Sequence, residues 1–241
     1  MKRTDRNRIS WPTGTSSEDR RFARTLISNM VHTIERQNCN HIVIGCSGGL
    51  DSTVLAHVCA CACVVGPDIK STLVYVNHNL RTDNEIQKDI DHVNYLGNNL
   101  SMNVLVESIQ LPQGNIQLEA REARYKALAK TARKLDAVVI LAHHGNDIAE
   151  SKLFQFLTGR AVVGISPCFA FDYARFLRPM LGFTRHELER YAQIWNLSWS
   201  EDSSNATNKY TRNKIRHNLI PLIEKEINPG IVKMLSETSL Q

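Results

Sequence analysis

The stretch Ile42-Val43-Ile44-Gly45-Cys46-Ser47-Gly48-Gly49-Leu50-Asp51-Ser52-Thr53 decides how this chain folds. A short unbroken apolar run, Ile42–Cys46, enters it, and a second apolar run, Val54–Val65, leaves it with His57 as its main interruption. The first run predicts a strand covered on both faces, and the second a helix that begins near Ser52. Gly48 and Gly49 let the backbone between them turn sharply and approach a ligand closely. The helix that follows offers unpaired N–H groups and the positive end of its dipole, which together bind phosphate. Ser47, Ser52 and Thr53 add hydroxyls. Asp51 repels a phosphate on its own but suits one when a magnesium ion lies between them. No lysine follows the glycines as in a Walker A loop, and the spacing is not G-x-G-x-x-G.

Three further β-branched apolar runs follow, Thr72–Asn77, Asn103–Glu107 and Ala137–Ala142, each separated from the next by a segment of helical character. Leu118, Ala123, Ala127, Leu128, Ala132 and Leu135, for example, recur near one helical face. Apolar strands alternating with helices predict an α/β fold, a doubly wound and mainly parallel sheet. A fifth short strand is expected near Phe176–Leu177. Beyond Thr184 the pattern turns helical and polar, so residues 1–20 read as a basic tail, 21–183 as the α/β domain that carries the phosphate turn and 184–241 as a small helical C-terminal subdomain. The polar segments after strands one, two and four are SGGLDS, NHNLR and HHGND. Ligands of such sheets bind outside the carboxyl ends of the strands, so these loops point to one site.

With 241 residues, 42% hydrophobic and 22% charged, the chain has the makeup of a water-soluble globular protein. Its apolar runs fall short of the roughly 20 residues that span a bilayer, and the start lacks the apolar core of a secretory signal. Asp5, Glu18 and Asp19 argue against an organelle transit peptide. The net charge of +5 weakly favours a polyanionic partner, and Arg212, Lys214 and Arg216 form a basic run with Lys209 just before it. None of the six cysteines lies in a C-x-x-C pair, so neither a zinc knuckle nor a redox dithiol is signalled. A reducing, cytoplasmic setting fits.

The loop resembles the SGGxDS signature of the PP-loop ATP pyrophosphatase superfamily, whose members split ATP between its α and β phosphates. Further motifs follow in order: Val76-Asn77-His78-Asn79-Leu80-Arg81, Glu119-Ala120-Arg121-Glu122-Ala123-Arg124-Tyr125, His143-His144 with Asp147 and Glu150, Arg178-Pro179, Glu201-Asp202-Ser203-Ser204-Asn205, and Arg212-Asn213-Lys214-Ile215-Arg216. Over about residues 38–225 this series looks like the tRNA(Ile)-lysidine synthase family. The resemblance implies a ligase that uses ATP and Mg2+ to adenylate the C2 oxygen of the wobble cytidine of tRNA(Ile) with a CAU anticodon. Free L-lysine then displaces AMP to form lysidine. It implies no membrane partner and leaves the oligomeric state open, a homodimer included.

Residue by residue, the resemblance assigns ATP binding to Ser47, Gly48, Gly49, Leu50, Asp51 and Ser52, with Asp51 also facing magnesium through the phosphates. Asp147 and Glu150, three apart on a helix and so on one face, are assigned to lysine. His143 is assigned to position the α-phosphate or the base. Arg121 and Arg124 would steady the pentavalent phosphate, with Arg212 a further catalytic arginine. Arg212, Lys214 and Arg216 would contact tRNA phosphates, giving affinity without sequence readout. Where the family commonly carries Asp, Gln and Thr after the histidine pair, this chain has Asn146, Ile148 and Ser151, and Thr158–Ile165 is poorer in glycine than expected. Many members continue into C-terminal domains that recognise the acceptor region, so a compact form would select its tRNA largely through the anticodon stem.

Three other readings stay open. A tRNA thiolation enzyme of the same superfamily needs sulfur-carrying cysteines; the lack of C-x-x-C counts against it, whereas Cys46 and the Cys59–Cys63 group keep it open. A catalytically weak RNA-binding module that keeps the loop as an ATP sensor is the second. An amidotransfer synthetase is the third, without a glutaminase domain in this sequence.

Overall fold

A computed structural model describes residues 9–79, 82–109, 116–200 and 211–237. Leu80, Arg81 and the Glu201–Asn205 motif lie outside the described residues, as do the first eight residues of the expected tail. In chain order the elements are α1 (Ser17–Glu35), β1 (His41–Gly45), α2 (Leu50–Val65), β2 (Lys70–Asn77), α3 (Asp83–Leu100), β3 (Asn103–Ser108), α4 (Ile116–Leu135), β4 (Val138–Ile140), α5 (Gly145–Leu157), β5 (Cys168–Phe171), β6 (Ala174–Leu177), α6 (Arg185–Ile194), α7 (Thr211–Lys214), α8 (Ile220–Glu226) and α9 (Ile231–Glu237). A single wide π turn, Ile215–Leu219, joins α7 to α8. Pro221, in the first turn of α8, has no N–H to continue the tight ladder there.

The sheet runs β3-β2-β1-β4-β6-β5, parallel throughout except for the last pair. Alternate residues of the inner strands enter opposite cores. Ile42 and Ile44 face α1, α2, α3 and α6, whereas Val43 packs with Val74, Val139 and Leu128 on the α4 side. This two-sided burial is why these strands read as unbroken apolar runs. β5 was not expected from sequence. It pairs antiparallel with β6 through a turn in which Asp172 and Tyr173 both take positive φ, 47° and 60°, the backbone of a tight hairpin.

The N-terminal segment is more ordered than a tail. Ser16 caps α1 by accepting from the Asp19 amide at 3.0 Å, so the helix begins at Ser17, inside the stretch expected to be solvated. Its stripe of Ala23, Leu26, Ile27, Met30, Val31 and Ile34 is buried, and Trp11 packs on Trp195 with ring centroids 4.9 Å apart. Truncating one such side chain, Leu26→Ala, costs about 2–5 kcal/mol. After residue 184 the helices divide between two cores. Leu188, Tyr191 and Ala192 of α6 join the principal one, whereas Ile215, Ile220 and Val232 pack with Ala149 of α5.

β1 leads away to β2 and β3 on one side, and the chain returns to β4 on the other. The carboxyl ends of β1 and β4 therefore flank the point where strand order reverses, the place where open α/β sheets hold ligands.

Candidate active site

The turn after β1 is held in shape by its own polar groups. Gly48 has φ +82°, a backbone conformation that favours glycine, while a Cβ there would make only ordinary contact with His92 Cδ2 at 3.4 Å. Its carbonyl accepts from the Ser200 amide at 2.9 Å and from Thr53 Oγ1 at 3.2 Å. The Ser52 hydroxyl points inward, donating to the Gly49 carbonyl at 2.9 Å and accepting from the Ser47 amide at 3.2 Å. Leu50 is buried in the principal core, so only its backbone faces the loop. Gly49 occupies the N-cap of α2 without a side-chain capping bond. That leaves the first-turn N–H groups of α2 for an anion, as the sequence implies.

β4 delivers His143 and His144 to the neighbouring strand end, and α5 starts immediately after them. The His144 amide donates to Asp147 Oδ2 at 2.9 Å. Its ring Nε2 lies 3.5 Å from Asp51 Oδ2 and 3.7 Å from Asp147 Oδ2, so one buried imidazole bridges the phosphate loop and the α5 carboxylate. The two histidines titrate in opposite directions. Burial pushes His143 down to about 4, with Arg178 and Arg121 adding to the effect against the attraction of Asp147. Burial acts downward on His144 too, but Asp147 and Asp51 outweigh it and its pKa rises above the ordinary 6.5.

Asp147 and Glu150 share a face of α5 as expected, and both meet Arg216. Its Nε and Nη2 donate to Glu150 at 2.5 and 3.0 Å, and Nη2 lies 3.7 Å from Asp147 Oδ1. Glu150 is only 2% exposed, so this two-point pairing neutralises a buried charge. Arg212 donates to Ser151 Oγ and lies 3.9 Å from Glu150. Arg216 and Arg212 thus turn toward the acidic cluster, while Lys214 is exposed and borders an apolar groove with Leu157 and Leu222. On the other flank, Arg124 Nε donates to His78 Nε2 at 3.3 Å, and Arg121 lies over the Tyr125 ring at 5.3 Å. The structure therefore brings Asp51, Asp147, Glu150, Arg212 and Arg216 into one chain of contacts. Arg121 acts on His143 through its charge, and Arg124 pairs with His78 apart from that chain.

Sequence reasoning passed over Arg185 and left His144 without a role. Arg185 Nη1 donates to both oxygens of Asp51, at 3.2 and 3.4 Å, and the Arg185 amide donates to Asn146 Oδ1 at 2.8 Å. A signal was present: Thr184-x-x-Glu187 is a capping box, which places Arg185 at the first position of α6. The helix dipole disfavours a cation there, so an arginine in that place requires an anion in front of it.

Among the described residues no group of three or more metal-ligating side chains forms. Asp51 is a single carboxylate beside the glycine turn, which fits a magnesium ion arriving with a nucleotide. All six cysteines are free. Cys46, behind the loop, is buried, and burial pushes its thiol up. No described helix is long and apolar enough to cross a membrane.

Curated proteins with similar sequences include tRNA(Ile)-lysidine synthases. The chain is 36% identical over 211 residues to the tRNA(Ile)-lysidine synthase of Wolbachia pipientis wMel, covering 84% of this chain and 48% of that protein. It is 32% identical over 200 residues to the synthase of Solibacter usitatus, covering 82% of this chain and 44% of that protein. The chain thus spans about half the length of the curated relatives it matches. Among solved structures, the U34-tRNA thiolase NcsA from Methanococcus maripaludis superposes with a TM-score of 0.73 at 16% identity, covering 90% of this chain and 78% of that one; at that identity the likeness concerns the fold alone. The family model for the PP-loop domain matches residues 22–223, with the glycine turn, the buried strand and the strand-order reversal all inside it, and the chain belongs to that family.

Proposed function

We propose that this chain modifies tRNA as a lysidine synthase: it adenylates the C2 oxygen of the wobble cytidine of tRNA(Ile) with a CAU anticodon, then joins free L-lysine. The observation that carries this reading is the bridge at His144. One imidazole within 3.7 Å of both Asp51 and Asp147 sets a phosphate-binding loop against a carboxylate cluster suited to amines. An enzyme that activates one substrate with ATP and attacks it with lysine needs those two subsites side by side.

In the first step the cytidine O2 forms a bond to the α-phosphorus. The bond from that phosphorus to the α,β-bridging oxygen breaks, and pyrophosphate leaves with its electrons. The N–H groups of α2 and the turn at Ser47–Gly49 hold the phosphates. Asp51 would hold a magnesium ion, which would supply charge neutralisation at the phosphates. Arg121 and Arg124 face the equatorial oxygens, where negative charge grows. His143, neutral at pH 7, positions the α-phosphate or the base as a hydrogen-bond partner. In the second step the lysine ε-nitrogen, its ammonium proton lost to solvent, attacks C2; the C2–O bond breaks, AMP departs with that bond's electrons, and the proton the new C–N nitrogen sheds passes to solvent. Asp147 and Glu150 receive the amino groups of lysine, with Arg216 keeping both carboxylates in place. Lys214 remains for tRNA phosphates, and Arg212, beside Glu150, is the further catalytic arginine, in a soluble, cytoplasmic protein.

The test is ATP- and magnesium-dependent incorporation of labelled lysine into a CAU-anticodon tRNA transcript, comparing the wild type with Asp51→Ala. Incorporation lost by at least ~100-fold in the variant supports the reading. Folded wild-type protein that exchanges pyrophosphate into ATP yet incorporates no lysine sinks the lysine step and leaves thiolation as the alternative.

A further inference from the structure

The placement of Arg185 has no part in the chemistry above. It stands at the first position of α6, and three bonds fix it there. Its amide is held by Asn146 Oδ1 at 2.8 Å, the Gly145 amide donates to the Phe183 carbonyl at 2.7 Å, and its Nε donates to Glu189 Oε1 at 3.2 Å. The N-termini of α5 and α6 are therefore tied to each other and to the phosphate loop.

The side chain itself is only partly committed. A guanidinium devoted to a carboxylate presents two parallel N–H bonds from two nitrogens. Arg185 gives Asp51 one nitrogen, Nη1, shared between the two oxygens. Nη2 makes no hydrogen bond among the described residues, and the side chain is 42% exposed. Arg185 meets two carboxylates, Asp51 through Nη1 and Glu189 through Nε, so what it keeps for a ligand is the Nη2 edge, at the positive end of the α6 dipole.

We propose that Arg185 is a phosphate-binding residue of the ATP site, directed at the β- and γ-phosphates. This rests on the assignment of the 47–52 loop to ATP. If Asp51 approaches the phosphates through magnesium, the arginine that shares its oxygens lies beside the same phosphates with a free N–H edge. Arg185 then carries two tasks: it orients Asp51 and it holds the pyrophosphate that leaves. The α-phosphate, nearer the base, belongs to the His143 and Arg121 flank. Recognition by Arg185 therefore distinguishes ATP from AMP.

The experiment is titration calorimetry of the full chain with ATP and separately with AMP, each with magnesium, for wild type, Arg185→Ala and Arg185→Gln. The Gln variant serves where the Ala variant does not fold. Expected is a roughly 10- to 100-fold weaker ATP affinity, the worth of a charge-assisted hydrogen bond, with AMP affinity changed less than about twofold. Parallel loss for both nucleotides, or no loss for either, overturns the proposal. The same titration in an Asp51→Asn background separates direct contact from an effect through Asp51. A further tenfold loss on adding Arg185→Ala supports direct contact; no further loss overturns it. Wild-type protein that binds neither nucleotide removes the ATP assignment beneath the proposal, an outcome distinct from altered discrimination.

Discussion

The two flanks of the strand-reversal crevice are built on opposite electrostatic plans. On the α5–α6 flank the three carboxylates of the site each meet a cation: Asp51 meets Arg185, Glu150 meets Arg216, and Asp147 lies between His144 and Arg216. On the α4 flank, Arg121 and Arg124 pair with no carboxylate among the described residues; their neighbours are the Tyr125 ring and His78. Arg178, at the end of β6, leans on Phe169 and donates to the Ser166 carbonyl. The first flank completes its charge balance within the protein, so its groups serve stability as well as function. The second keeps an excess of positive charge, which is the condition for receiving an anion.

The largest effect that tests this contrast is on the basic flank. Arg121→Ala is expected to slow ATP–pyrophosphate exchange by roughly 100- to 1000-fold while shifting urea-unfolding stability by no more than ~0.5 kcal/mol, because the side chain is exposed. An equal loss of stability would break the distinction. Next comes Arg216→Ala. Removing one partner of a fully buried pair costs about 3–5 kcal/mol; with Arg216 one-third exposed, about 2–3 kcal/mol is expected after allowance for solvent screening. Urea denaturation measures it, and adding Glu150→Gln should recover part of the loss.

The adjacent histidines report the two plans through pH. His143 has a folded pKa of about 4, below its unfolded value, so its contribution to stability is present above pH 6.5 and is lost as the pH falls toward 4. His57, buried against Tyr191 and also pushed to about 4 by burial, acts in the same direction. His144 has a raised pKa, so its contribution is present below pH 6.5 and is lost as the pH rises through the folded value. Imidazole resonances followed by NMR should therefore titrate on opposite sides of 6.5 for His143 and His144. Arg121→Ala should raise the first and leave the second in place; two coincident titrations would contradict the electrostatic division. The smallest effect is expected from Asn146→Asp, which keeps the Oδ1 acceptor for the Arg185 amide. A stability change within ~0.5 kcal/mol by thermal melting is the outcome, and a larger loss would show that the acidic flank does not tolerate a fourth carboxylate.

The parallel strands, the phosphate turn and the helical pairing of Asp147 with Glu150 were legible in the chain because each is local. Two-sided burial leaves unbroken apolar runs, a φ of +82° leaves a glycine, and a helix repeats every three to four residues. β5 escaped because Cys168–Phe171 is a short, half-exposed edge strand. The start of α1 escaped because its basic and hydroxyl-rich composition hides a serine cap and one apolar stripe. Arg216 reads in sequence as part of a basic run, yet the fold turns it onto Glu150, 66 positions away. Arg185 reads as an ordinary helix-start residue and faces Asp51 across 134 positions. Sequence by itself determined which backbone could hold phosphate and which helix face carried acid. Only tertiary structure decided which cation neutralises which anion, because Coulomb attraction and hydrogen bonding depend on distance in space, and strand order brings β1 and β4 together only after the chain has wound both ways around the sheet.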